Sequence, residues 1–172
     1  DMKKRGLSFF ANRKDRKEEF GENYSTTYEG SFAELAQAQR HRTLYYEVNF
    51  LDTFKYYVPP IIRGTSLEKE WLKDISSLEE YYPQGMLVKV NERGTVENFI
   101  LKCTERLCGA AQLEIMEQTV ITMNKYLDAV KDNPVIENEL LPYSKGARCT
   151  FPGWKCKSPC IFGGKNAMNR KI

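Results

Sequence analysis

The stretch GMLVKVNERGTVENFILKCTER, residues 85–106, changes its hydrophobic period partway along. Met86, Val88 and Val90 alternate with Leu87 and Lys89, the two-residue repeat of a strand that buries one face, so residues 85–90 are predicted as a short strand. Asn91, Glu92, Arg93 and Gly94 read as a polar corner. Beyond it Val96, Phe99, Ile100 and Cys103 recur at three- and four-residue spacing, which places them on one face of a helix. A short strand feeding a helix, within a chain whose other periodic segments are mostly helical, predicts the α+β class.

Working outward from that stretch, Leu113, Met116, Val120, Met123, Leu127 and Val130 mark a longer helix after Gly109, and Asp132, Asn133 and Pro134 are expected to close the helical region. Upstream, Leu67, Trp71, Ile75 and Leu78 repeat at helical spacing, with Ser66 as N-cap and an end before Tyr81-Tyr82-Pro83. Residues 43–66 are rich in aromatics, Pro and Gly and read as an irregular but packed loop. Phe32, Leu35 and Ala36 share a helical face capped at Gly30-Ser31, and this helix is expected to run into Arg40, His41 and Arg42. The organisation expected is a basic arm over 1–30, in part helical, a core over 31–142, and a Cys-, Gly- and Lys-rich tail over 143–172.

Composition narrows the function classes. With 172 residues, 41% apolar and 28% charged, the chain is predicted to fold as one domain rather than remain disordered. Its apolar runs, such as Met86 to Val88, fall far short of the roughly twenty residues needed to span a bilayer. Asp1-Met2-Lys3-Lys4-Arg5 and the charges that follow lack the apolar centre of a secretory signal, which implies a cytoplasmic protein. Five cysteines, an odd number, point to reduced thiols or a metal site rather than a disulfide framework. His41 is the only histidine, so Ser-His-Asp or Cys-His catalysis is confined to that position and zinc sites needing two histidines are excluded.

Three polar constellations stand out. Gln37, Arg40, His41 and Arg42 put two guanidiniums beside an imidazole, a set suited to a phosphate-bearing planar ligand. Taken alone, the same residues also describe a solvated helix end. Asn91 and Arg93, followed by Asn98, stand where a strand hands over to a helix, whose first amides attract anions; turn chemistry with a surface charge is the alternative. Arg106 precedes Cys108, the Gly109 break and the small residues Ala110 and Ala111.

In order and approximate spacing over residues 31–130, these segments resemble the flavin-dependent thymidylate synthase family. Arg40-His41-Arg42 with Gln37 matches its Arg-His-Arg motif, Tyr57-Val58-Pro59-Pro60 its Y-x-P-P segment, and Asn91-Glu92-Arg93 its N-x-R. Asn98-Phe99 and Arg106, Cys108, Ala111, Gln112, Glu114 and Ile115 match the segments that follow. The resemblance implies a small, mostly antiparallel sheet with helices packed on it. It also implies methylation of dUMP to dTMP, with FAD as cofactor, NADPH as reductant, methylenetetrahydrofolate as carbon donor, and a homotetramer. FAD would meet Arg40, His41, Arg42, Asn91, Arg93 and Asn98. The nucleotide would meet Gln37, Arg40 and Arg106, with Arg106 and His41 as the catalytic pair.

The match breaks after Arg42, where the family has two serines and an arginine and this chain has Tyr45, Phe50 and Asp52. Asp52 puts an anion where a phosphate-binding cation is expected, which implies weakened dUMP binding. Residues 1–30 do not resemble the family's leading strand and helical segment, so a piece of a longer or duplicated polypeptide, with this half as a non-catalytic oligomerisation or scaffold domain, is a second expectation. Cys149, Cys156 and Cys160 in the tail are candidate zinc ligands, with Cys103, Cys108 or water as the fourth. A nucleic-acid-binding module using the basic arm and stacking aromatics such as Tyr56, Tyr57 and Trp154 is the third reading, disfavoured because no nucleic-acid-binding motif is present.

Overall fold

In the computed structural model, residues 23–158, 160–162 and 164–172 are described. Strands β1 (Tyr24–Ser31), β2 (Tyr45–Phe50) and β3 (Leu87–Gly94) form a sheet in the order β1-β3-β2, with both pairings antiparallel. Against it pack helices α1 (Phe32–Ala38), α2 (Ser66–Ser76), α3 (Val96–Arg106), α4 (Leu113–Val130) and α5 (Pro134–Leu140). The expected α+β class, helices on a small antiparallel sheet, is the observed one.

The strands extend further than their apolar residues indicate. The alternation of β3 continues past Val90: Glu92 and Gly94 carry on the buried row while Arg93 is exposed. The expected polar corner at 91–94 is therefore strand, because every one of those residues has a partner on β1, Asn91 opposite Thr27 and Arg93 opposite Ser25. Likewise Tyr24–Ser31, all but its last residue assigned from sequence to the basic arm, is the first strand; it buries Tyr24 and Tyr28 and turns Ser25, Thr27 and Glu29 outward. The expectation over 1–22 lies outside the described residues. Within the supposed loop 43–66, β2 pairs with β3, its half-buried Tyr46 and Val48 alternating with exposed Glu47 and Asn49.

Helix ends follow capping chemistry. Ser31 caps α1 as expected, its hydroxyl accepting from the Glu34 amide at 3.1 Å. The helix ends at Ala38, however, so Arg40, His41 and Arg42 lie in the turns after it rather than in its last turn. Thr65, one residue before the expected Ser66, caps α2. Asn133-Pro134 starts a helix instead of ending the helical region: Asn133 accepts from the Ile136 amide, and proline at the first helical position has no amide hydrogen to lose.

The core is built from the stripes read in the sequence. Phe99, Ile100 and Cys103 of α3 and Met116 and Met123 of α4 pack with Tyr24, Leu44, Leu140 and Phe151, and Tyr24 stacks on Phe99 with ring centroids 4.5 Å apart. The α2 stripe is weaker, since Ile75 is buried but Leu67 and Leu78 are exposed. The tail is attached to the core by Phe151 and by the Arg148 amide, which donates to the Leu107 carbonyl at 2.6 Å. Among the described residues, no helix is long and apolar enough to cross a membrane.

Candidate functional site

The corner that follows α1 is held at both ends. At its start, the Glu114 carboxylate of α4 accepts from the Ser31 amide at 2.7 Å and from the Ser31 hydroxyl at 2.5 Å, which anchors the cap of α1. At its far side, the His41 amide donates to the Ala38 carbonyl and the Leu44 amide to the His41 carbonyl, a tight pair of turns that delivers the chain into β2. His41 is buried by this path, while Arg40 and Arg42 on either side are exposed.

Arg106, the last residue of α3, closes the corner. Its Nε donates to His41 Nε2 at 2.7 Å, and its two terminal nitrogens donate to the Gln37 side-chain oxygen and the Gln37 carbonyl, each at 3.0 Å. Three residues from two distant segments thus meet as one unit. The Nε2 lone pair is occupied by a cation's N–H, so the imidazole is neutral with its proton on Nδ1. Burial, then the charges of Arg106 and Lys102, push the His41 pKa down to about 3. His41 therefore acts as a hydrogen-bond acceptor that orients Arg106, and not as a proton shuttle near neutral pH. Burial, reinforced by Arg40, also lowers the Arg106 pKa, while Glu105, Tyr46 and Glu34 oppose that shift.

The constellation of Asn91, Arg93 and Asn98 is brought alongside in part. Asn98 Nδ2 donates to the Thr43 carbonyl at 3.0 Å, joining α3 to the corner, and Tyr45 is opposite Arg93 in the sheet, whose guanidinium carbon lies 6.0 Å from the Tyr45 ring centroid. Arg93 thus stands at the end of the sheet where the corner enters β2. Asn91 shares with Arg93 the sheet face turned away from the helices, where it accepts from the Thr27 hydroxyl at 2.8 Å. Asn98 Oδ1 and Thr43 Oγ1 are buried without a hydrogen-bond partner. Arg40, Arg42 and Arg93 are exposed, Arg93 on the same sheet face as Asn91, while Arg106 is fixed by Gln37 and His41.

The end of β2 and the residues after it place Phe50 and Asp52 at the surface. Phe50 is exposed and lies against Tyr82, with centroids 5.4 Å apart, and edge-on to Phe32, while Asp52 is exposed.

Sequence reasoning missed a buried cluster of charged and phenolic groups. Under the sheet, Glu92 accepts from Lys102 Nζ at 2.5 Å and from the hydroxyls of Tyr24 at 2.7 Å and Tyr28 at 3.4 Å, with Glu92 and Lys102 almost wholly buried. Tyr28 also donates to Glu34 at 3.3 Å. The Tyr46 hydroxyl is buried beside Glu92 and Glu34, and burial first, then their charge, raises its pKa. Burial foremost pushes the Glu34 carboxyl up to about 7; Lys102 opposes, and Glu114 and Glu92 add to the rise. Gly30 leaves room for this group, because a Cβ there would stand 2.6 Å from Glu34 Oε2. A signal was present: Glu92 continues the alternation 86-88-90, and Lys102 lies on the same helical stripe as Phe99 and Cys103.

The tail cysteines converge on one place. Cys149, Cys156 and Cys160 line a cavity of about 470 Å³ together with Cys108, whereas Cys103 lies in the core, where burial raises its thiol pKa. Among the described residues no group of three His, Cys, Asp or Glu side chains is gathered closely enough to hold a metal ion. Compared with known proteins, the chain matches no family model and no curated protein.

Proposed function

We propose that the chain is a domain of the flavin-dependent thymidylate synthase type, binding FAD and an anionic nucleotide at the rim formed by the corner at residues 40–44, Arg93 and the end of α3. The observation that carries this reading is the Arg106 side chain, which holds Gln37 and His41 in one hydrogen-bonded unit although they are 69 and 65 residues away. Those three positions are the ones the family resemblance assigns to nucleotide binding and catalysis. On this reading dUMP and methylenetetrahydrofolate are the substrates, NADPH is the reductant, and the assembly is a cytoplasmic homotetramer.

Bound FAD would supply the hydride chemistry, and the chain's residues would supply placement and charge. Arg40 and Arg42, both exposed, offer guanidiniums to phosphate oxygens. Arg106 presents a fixed positive charge toward the uracil ring, since all its aim is set by Gln37 and His41 before any ligand arrives. Asn98, buried and tied to Thr43, would hold the corner in place behind the flavin.

Flavin absorbance of the purified protein and titration of the apoprotein with FAD test the reading, followed by tritium release from [5-3H]dUMP. Removing both Arg40 and Arg42 should weaken FAD binding about a hundredfold or more, because each charge-assisted hydrogen bond contributes about 1.5–3 kcal/mol. A chain that neither retains nor binds FAD would remove the proposal. Phe50 and Asp52 favour a second reading, a non-catalytic partner half of a duplicated enzyme; flavin binding without tritium release selects it.

A further inference from the structure

We propose that Arg148 and Arg170 of the tail are positioning residues for Arg106: they grip the backbone carbonyls around it and so keep its guanidinium on Gln37 and His41. That the fixed guanidinium faces a ligand rests on the function proposed above; that the tail fixes it does not.

A helix leaves its last carbonyls without donors of its own. At the end of α3 the Leu107 amide turns back to the Cys103 carbonyl at 2.8 Å and the Cys108 amide to the Arg106 carbonyl at 2.9 Å. Further carbonyls are met from the tail. The Arg148 amide donates to the Leu107 carbonyl at 2.6 Å and its Nη1 to the Thr104 carbonyl at 3.4 Å, so one residue holds the chain on both sides of Arg106. Arg170 extends the grip into the loop before α4, its Nη1 donating to the Gly109 carbonyl at 2.9 Å and its Nη2 to the Ala111 carbonyl.

Both guanidiniums suit that place, because the negative end of the helix dipole favours cations at a C-terminus. Neither is left loose. The Arg148 guanidinium carbon stands 4.7 Å from the Trp154 ring centroid and that of Arg170 stands 5.9 Å from the Phe162 ring centroid. Phe162 in turn lies against the loop, 3.1 Å from where a Cβ on Gly109 would stand. The tail that carries these groups is anchored by Phe151 in the core, with Trp154 and Met168 packed on the same cluster. The Arg106 side chain crosses from α3 to the corner after α1, so its three hydrogen bonds are only as fixed as the helix end from which they start.

His41, the only histidine, reports on that aim. In the corner, burial and the charges of Arg106 and Lys102 of α3 hold its pKa down to about 3, while the flanking Arg40 and Arg42 are exposed. A released imidazole titrates near pH 6.5 and binds a proton roughly a thousandfold more tightly. Opening of the corner for about one part in a hundred of the time therefore raises the midpoint by more than about one pH unit.

The experiment is NMR of the His41 ring and of Arg106 Nε–H across pH 4–8 in the unaltered chain, Arg148→Met, Arg170→Met and the double variant, with denaturant midpoints measured alongside. The unaltered chain should show no His41 titration above about pH 5. The double variant should raise the midpoint by at least about one unit and speed hydrogen exchange at Arg106 Nε, with smaller changes in each single variant. Arg170→Lys, which restores a cationic donor, should move the midpoint part of the way back, and Lys157→Met, a tail cation outside these bonds, should leave it in place. Variants that fold and lose stability, yet keep His41 untitrated and Arg106 Nε–H protected, would show a purely structural role and overturn the proposal. If the double variant does not fold, the single variants decide by the same reading. FAD titration of these proteins is a separate measurement: failure of the unaltered chain to bind FAD removes the flavin reading and leaves the His41 result standing.

Discussion

Two lysine–glutamate pairs stand on opposite sides of the same small sheet. On the open face Lys55 Nζ meets Glu29 at 2.8 Å with both side chains about half exposed; on the covered face Lys102 meets Glu92 at 2.5 Å with the two side chains 2% and 0% exposed. The chemistry is the same and the energetics are not. Water solvates and screens the first pair, so its net contribution is small. The second was stripped of water on folding and is tolerated because Tyr24 and Tyr28 complete the hydrogen bonding of the carboxylate. Position in the two-residue alternation, not residue type, decides which kind of ion pair a strand glutamate makes.

Breaking the buried pair should have the largest effect. Lys102→Met leaves the Glu92 charge without its cation and should cost about 3–5 kcal/mol, read from denaturant midpoints. Adding Glu92→Gln to it should recover most of that loss, since a neutral amide can still bond to the two tyrosine hydroxyls. A double variant no more stable than the single one would show that the pair's geometry, rather than unpaired charge, is what matters.

Next in size is the carboxyl beside that pair. Glu34 has a folded pKa of about 7 against an ordinary 4.5, so the folded state holds its proton more tightly and this group lowers stability as pH rises from 4.5 to 7. His41 runs the other way: depressed from 6.5 to about 3, it removes stability as pH falls through that range. Between pH 4.5 and 6.5 the two slopes oppose each other. Glu34→Gln should therefore match the unaltered protein near pH 4.5 and exceed it by roughly 3 kcal/mol above pH 7, at about 1.4 kcal/mol per pH unit. Unfolding curves of both proteins across pH 4–8 check this, and a constant difference at every pH would remove Glu34 as the cause.

The smallest effect belongs to the exposed pair. Lys55→Ala should change stability by less than about 1 kcal/mol, and the difference should shrink further in high salt. A loss comparable to that of Lys102→Met would mean the open face is covered in solution.

Much of the candidate site was legible as segments and little of it as geometry. Gln37, His41 and Arg106 were each singled out from their own neighbourhoods, yet nothing in those neighbourhoods says that one guanidinium reaches both of the others. Asn91 and Arg93 were read as a corner because polar residues ended the apolar run; pairing with β1 keeps them in the sheet and turns both to the face away from the helices. The cysteines were legible as a group of three in the tail, and the fourth wall of their cavity, Cys108, was one of several options.

What the sequence by itself determined was the element type wherever apolar residues kept a regular period. The stripes on α3 and α4 and the buried row of β3 follow from side-chain direction, which repeats every 3.6 residues in a helix and every two in a strand. Strand partners, the reach of Arg106 and the burial of Glu34, Glu92 and Lys102 were decided only by the tertiary structure. Those outcomes depend on residues far apart in the chain, and a polar side chain carries no local mark of whether its partner will be water or another buried group.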